Sequence, residues 1–217
     1  MTNHRTSRIG TLLLAIAFCA VLSVTVMIFG ARMGLWDPIV GFGYIRNYLN
    51  SIGLSLLALS TLGLIYQWVT RNRTGALKSL VAVFIGLGLI APMIHSIIHP
   101  VKRGPAIHDI TTDTTNPPEF FALDDTRAGA KNSLIYAGEE VAAIQKKLYP
   151  HIKPIQSNLT ADDAYAKALD VARNKGWGIV AGSTETLRFE ATAQTTFFGF
   201  MDDVVVQVTP INNKSRI

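Results

Sequence analysis

Ile9-Gly-Thr-Leu-Leu-Leu-Ala-Ile-Ala-Phe-Cys-Ala-Val-Leu-Ser-Val-Thr-Val-Met-Ile-Phe-Gly30 contains no charged residue. A soluble core helix is seldom uncharged for so long, whereas crossing about 30 Å of hydrocarbon takes about 20 apolar residues. Two further stretches meet the same test. Ser51–Val69 is uncharged and is followed by Arg71 and Arg73, and Ser79–Ile98 carries only the titratable His95. The sequence therefore predicts three transmembrane helices within residues 1–100. The first could in principle be a cleaved signal peptide, but its apolar core is too long and no clean small-x-small site follows. It reads as a retained helix.

The basic character of the 217-residue chain lies in this half. Residues 1–100 hold seven Lys/Arg and one acid, Asp37; residues 101–217 hold thirteen basic and fourteen acidic residues. Nucleic-acid binding would need a basic stripe on the soluble part, so that class is set aside, and the bilayer is the expected partner. Arg5, Arg8, Arg71, Arg73 and Lys78 at one set of helix ends exceed Arg32, Arg46, Lys102 and Arg103 at the other. The Lys/Arg rule then places the amino terminus in the cytoplasm and residues 101–217 outside. The single cysteine, Cys19, lies within the first span and reads as a buried structural thiol, so no disulfide forms within the chain. The first loop, Ala31–Tyr48, places aromatic rings between glycines and is expected along the headgroup layer.

Within the third span, Ala82 and Gly86 form a small-xxx-small pair suited to close helix packing. His95 and His99 are four apart and share a helical face, a weak metal motif lacking a third ligand.

Residues 101–137 show little periodicity and read as an extended tether and irregular loop. Residues 138–217 read as an α+β domain with a small antiparallel sheet. Val141, Ile144, Leu148 and Tyr149 predict a helix over Glu139–Tyr149, stopped by Pro150. Thr160 is a good N-cap for a second helix with Ala161, Ala164, Tyr165, Ala168, Leu169 and Ala172 at helical spacing, closed by Gly176. The period then changes to two. Strands are expected over Trp177–Ala181, Thr186–Gln194 and Met201–Thr209. Leu187, Phe189, Ala191 and Ala193 fall on one face of the middle strand, and Arg188, Glu190 and Thr192 on the other. Asn212-Asn213 predicts a hairpin turn. Only Lys214–Ile217 follow it, a strand expected to leave Val204–Val208 poorly covered with an exposed edge.

Ile107-His108-Asp109-Ile110-Thr111-Thr112-Asp113 with Asn116-Pro117-Pro118 resembles the opening signature of the family called domain of unknown function 1499. Tyr149-Pro150 with Pro154, Gly176-Trp177, Phe189-Glu190-Ala191-Thr192 and Phe198-Gly199-Phe200-Met201-Asp202-Asp203-Val204 match it in order. Gly34-Leu35-Trp36-Asp37 is similar to membrane-bound members. The resemblance implies a bacterial or plastid membrane protein of the envelope with no established activity. It also implies that a longer strand and a final helix usually follow the position of Ser215-Arg216-Ile217, so this chain reads as truncated relative to its relatives.

His108, Asp109, Asp113, Glu190, Asp202 and Asp203 are the one constellation suited to chemistry. Carboxylates and imidazole are the groups of a metal site or an acid/base pair, with His95, His99 and His108 as weak metal candidates. No H-E-x-x-H, Gly-x-Ser-x-Gly or phosphate-cradling glycine loop occurs. The same acids serve equally well as turn caps. The expectation is a non-catalytic binding or structural module with no cofactor and no assigned catalytic residue, contacting lipid or another envelope protein. The alternatives are a metal-assisted hydrolase and a small transport-associated subunit, the latter weakened because only His95 is ionisable within a span.

Overall fold

The computed structural model describes residues 7–100, 104–127 and 131–217. Arg5, Lys102 and Arg103, which entered the charge comparison, lie outside the described residues. The chain forms two compact units, one built from the helices with residues 196–200 and the other from the remainder.

The first unit contains α1 (Arg8–Phe29), α2 (Pro38–Val69) and α3 (Arg73–Ile98), each packed on the other two. All three are long and apolar enough to cross a membrane. Large apolar side chains such as Leu12, Phe18, Leu22, Leu62 and Phe84 point outward, which is stable only against hydrocarbon. Cys19 is also exposed on this surface, not buried as expected, because its helix face meets neither neighbour.

The residues of the expected first loop fold differently. From Pro38 onward they are the beginning of α2, a helix of 32 residues. Pro38 occupies a first-turn position, where its fixed φ favours a helix and its missing N–H costs nothing. Tyr44 and Tyr48, four apart, then stack at 6.3 Å, and Trp36 meets Tyr44 edge-on at 5.3 Å.

Polar contacts fix one end of this bundle. The Gln67 Nε2 donates to Ser7 Oγ at 2.6 Å, and Lys78 Nζ donates to Thr11 Oγ1 at 2.8 Å. Ala82 is fully buried, and a Cβ on Gly86 would stand 3.0 Å from the Leu57 backbone nitrogen. The predicted small-residue pair is therefore where α3 touches α2. Residues 196–200 join this unit through aromatic contacts, with Phe42 lying 5.5 Å from Phe198 and Phe29 lying 6.0 Å from Phe197.

The second unit is α+β. Its elements are α4 (Glu139–Leu148), β1 (Gln156–Ser157), α5 (Ala161–Asn174), β2 (Gly178–Ser183), β3 (Arg188–Gln194), β4 (Met201–Gln207), β5 (Thr209–Ile211) and β6 (Lys214–Arg216). Thr160 caps α5 as expected, accepting from the Asp163 N–H at 3.2 Å. Gly176 follows with φ +75°, the left-handed conformation that ends a helix at least cost in glycine.

Two antiparallel sheets form, in the orders β2-β3-β4 and β1-β6-β5. Val208 alone separates β4 from β5, and its N–H donates to Leu187 O at 2.9 Å. Val208 is 2% exposed and joins Phe189, Ala191, Ala164, Tyr165 and Ala172 in one core. Of the stretch expected to be poorly covered, Val208 is thus buried, whereas Val204, Val205 and Val206 are half-buried and Gln207 is exposed. The turn at Asn212, φ +53°, returns β6 between β1 and β5, and Ser215 is fully buried there. The expected open edge does exist on β4.

In α4 the buried positions are Ala142 and Gln145, with Tyr149 exposed. The helix thus presents a slightly rotated face relative to the apolar stripe, because Gln145 has a buried partner described below.

Gly86→Val should lower the stability of the full chain in detergent by about 1–3 kcal/mol through overpacking against α2. Gly88, whose added Cβ would meet nothing within 4 Å, should accept Val within about 0.5 kcal/mol. Thermal unfolding of the two variants followed by circular dichroism makes the comparison.

Candidate functional site

Residues 104–138 contain no helix or strand among those described, so their backbone groups need partners from elsewhere. Side chains supply them. Gln145 forms a two-way pair with the Thr111 peptide, Nε2 donating to its O at 2.6 Å and Oε1 accepting from its N–H at 3.0 Å. A glutamine within the apolar face of α4 was the available sequence signal for this contact.

Asp113 Oδ1 accepts from the Thr115 and Asn116 N–H groups, each at 3.0 Å, and Oδ2 pairs with Arg216. Burial pushes this carboxyl up, but the Asn116 and Thr115 N–H groups and the Arg216 charge outweigh it and leave its pKa lowered. Asp124 accepts from Thr126, and Asp125 accepts from the Leu134 N–H and Ser133 hydroxyl.

Glu190 is fully buried. It does lie opposite the apolar face of β3, as alternation predicts, yet residues 119–123 cover it. Three consecutive N–H groups, those of Phe121, Ala122 and Leu123, donate to its two oxygens. Arg188, two residues earlier, holds the same segment, with Nη1 donating to Glu119 O at 3.1 Å and the guanidinium lying 4.7 Å from the Phe121 ring centre.

Asp203 pairs with Arg127 Nε at 2.5 Å and accepts from Thr192 Oγ1 at 3.2 Å. Arg127 also donates to the carbonyls of Asp124 and Asn132. No sequence pattern distinguishes Arg127 from other surface arginines. Asp202 and His108 are exposed. His95 and His99, also exposed, face each other at 4.8 Å between ring centres in the first unit. Among the described residues no group of three or more His, Cys, Asp or Glu is placed to hold a metal ion.

Three of the nominated acids, Asp109, Asp113 and Asp203, nevertheless line one cavity of ≈ 530 Å³ together with Tyr136, Trp177 and Arg216. Ligand sites are typically about 300–1,000 Å³ and largely apolar with a few polar groups. The apolar part of the wall comes from Ile110, Pro117, Phe120, Ile155 and Val206. Asp109 differs from Asp113. Burial raises its pKa, opposed only by the Ile110 N–H. Tyr136 is raised by its own burial and by the Asp109 charge, and among the described residues its buried hydroxyl has no hydrogen-bond partner.

Taken together, a membrane-spanning helical unit and a cavity-bearing α+β domain define the class: a membrane-anchored small domain whose acids mostly brace loops. Residues 109–217 match the family described as Protein of unknown function (DUF1499), and the chain belongs to that family. No curated protein and no solved structure matches the chain.

Two of the cavity acids, Asp109 and Asp113, should respond to pH in opposite senses. Asp113 is lowered on folding, so its stability contribution grows as pH rises and is lost as pH falls through the folded value. Asp109 is raised, so folding binds its proton more tightly and stability declines as pH climbs above the ordinary 3.8. Asp113→Asn should therefore destabilise at pH 7 and converge on wild type in acid. Asp109→Asn should be neutral or stabilising at pH 7, with its difference also vanishing in acid. Denaturant titrations between pH 3 and 7 measure both.

Proposed function

We propose that this chain is a non-catalytic binding module, anchored in a bacterial inner membrane with its α+β domain in the periplasm. The observation that carries the reading is the division of labour around the ≈ 530 Å³ cavity. Asp113 and Asp203 are already committed to Arg216 and Arg127. That leaves the Asp109 carboxyl and the Tyr136 hydroxyl to meet a ligand amid apolar walls. A metal-assisted hydrolase would need a set of free ligands, and the nominated acids other than Asp109 are spent on structure or, like Asp202, stand apart on the surface.

Sidedness is supported by the packing of one bundle end. The bond from Gln67 to Ser7 and that from Lys78 to Thr11 bring Arg8, Arg71, Arg73 and Lys78 to the same end. Such a cluster favours the cytoplasm.

Ile110 is 48% exposed beside the cavity, which suits a photo-crosslinking amino acid. Placed there in cells, it should give a discrete adduct heavier than the chain, and at Glu185 on the surface it should not. No adduct at Ile110, or one divalent ion per purified chain, would turn the reading toward structural or hydrolytic roles. Phosphatase fused after Gly104 should be active and fused after Arg73 inactive; the reverse result would invert the membrane sidedness.

A further inference from the structure

β4 is the outermost strand of its sheet, paired with β3 from Met201 to Gln207 on one side only. Asp203, Val204, Val205, Val206 and Gln207 all line the cavity. A strand that shows a cavity its face contributes every second residue. Five consecutive residues mean that the cavity runs along the strand's edge. Among the described residues no backbone hydrogen bond reaches 203–207 from the side away from β3. Asp109–Asp113 line the same cavity, and the Thr111 peptide among them is already paired with Gln145.

An unpaired edge bordering a slot is the geometry of strand addition. Charge specifies the guest further. Among the described residues Arg216 is the one cation of the lining and is bound to Asp113, while Asp109 pairs with none. A neighbouring depression of ≈ 910 Å³, sharing the Phe120 and Tyr136 walls, adds Glu119, Asp124, Asp125 and Glu139. The excess is negative on both sides. Ile110 and Ile155, 48% and 57% exposed, offer apolar contacts beside it.

We propose that the free edge of β4 binds an extended segment of a partner protein as an added antiparallel or parallel strand, with apolar side chains alternating and a Lys or Arg set against Asp109. This rests on the binding-module reading and names its ligand class. The ladder hydrogen bonds supply affinity without regard to sequence, and the Asp109 side of the slot selects for the basic residue.

The test uses the full chain in detergent micelles and a fluorescein-labelled hexapeptide, Lys-Val-Thr-Val-Lys-Val. Saturable fluorescence anisotropy is expected, with slowed hydrogen exchange at the amides of residues 203–207. N-methylation of alternate peptide nitrogens removes the donors of one peptide edge. One of the two possible methylation patterns should weaken binding about tenfold or more, from the loss of two or more hydrogen bonds, and the other should not. Asp109→Asn should weaken this peptide but not its counterpart with norleucine in place of lysine.

Absence of saturable binding, equal effects of both methylation patterns, or binding without slowed exchange at 203–207 would each overturn strand addition. Slowed exchange that grows with protein concentration in the absence of peptide would overturn it in favour of a second copy of this chain. If the Ile110 adduct persists while the peptide fails, the binding module stands and only its ligand class is wrong. Loss of both removes the two together.

Discussion

The α+β domain depends on satisfying the backbone of a long segment that has no ladder of its own. Between residues 104 and 138 there is neither helix nor strand, and buried peptide groups without partners are costly. Glu190 and Gln145 reach into that segment from β3 and α4, and Asp113 and Asp125 act from within it, to take up its N–H groups. Arg127 takes up two of its carbonyls. This side-chain scaffold positions the walls of the cavity, because Gln145 and Arg216 tie Asp109–Pro118 to α4 and β6.

The same constraint explains why acids with the appearance of a reaction centre do not assemble into one. A carboxylate that accepts two or three backbone N–H groups has its lone pairs occupied, and one that pairs with arginine has its charge neutralised locally. Asp113 does both kinds of work, whereas Asp203 pairs with Arg127 and accepts from the Thr192 hydroxyl. Asp109 escapes because it caps little beyond the next residue, and that is why its carboxyl retains freedom to act on a guest.

How much of this was readable in advance follows the range of each interaction. The spans of α1 and α3, the cap at Thr160 and the alternation of Phe189 and Ala191 are local patterns, and the structure keeps them. The start of α2 was missed because Gly41 and Gly43 suggest a loop, whereas Pro38 and the tyrosines four apart favour the helix. β1 has only two residues, Gln156 and Ser157, too few to show a period, and it exists because β6 pairs with it. The second sheet is thus a product of long-range return by the last residues of the chain. Of the nominated acids, the three lining the cavity were recognisable by type alone. Asp203's partner Arg127 and the cavity residue Tyr136 carry no local mark, since their role comes from neighbours far away in sequence.

The nest that receives Glu190 has one more consequence. Three successive amide N–H groups converging on a point form a cradle that suits phosphate or sulfate oxygens. Here the protein fills that cradle with its own carboxylate, buried to 0% exposure. An empty cradle of this kind would be open to free anions. By supplying the anion internally, the fold makes this stretch of backbone deaf to them.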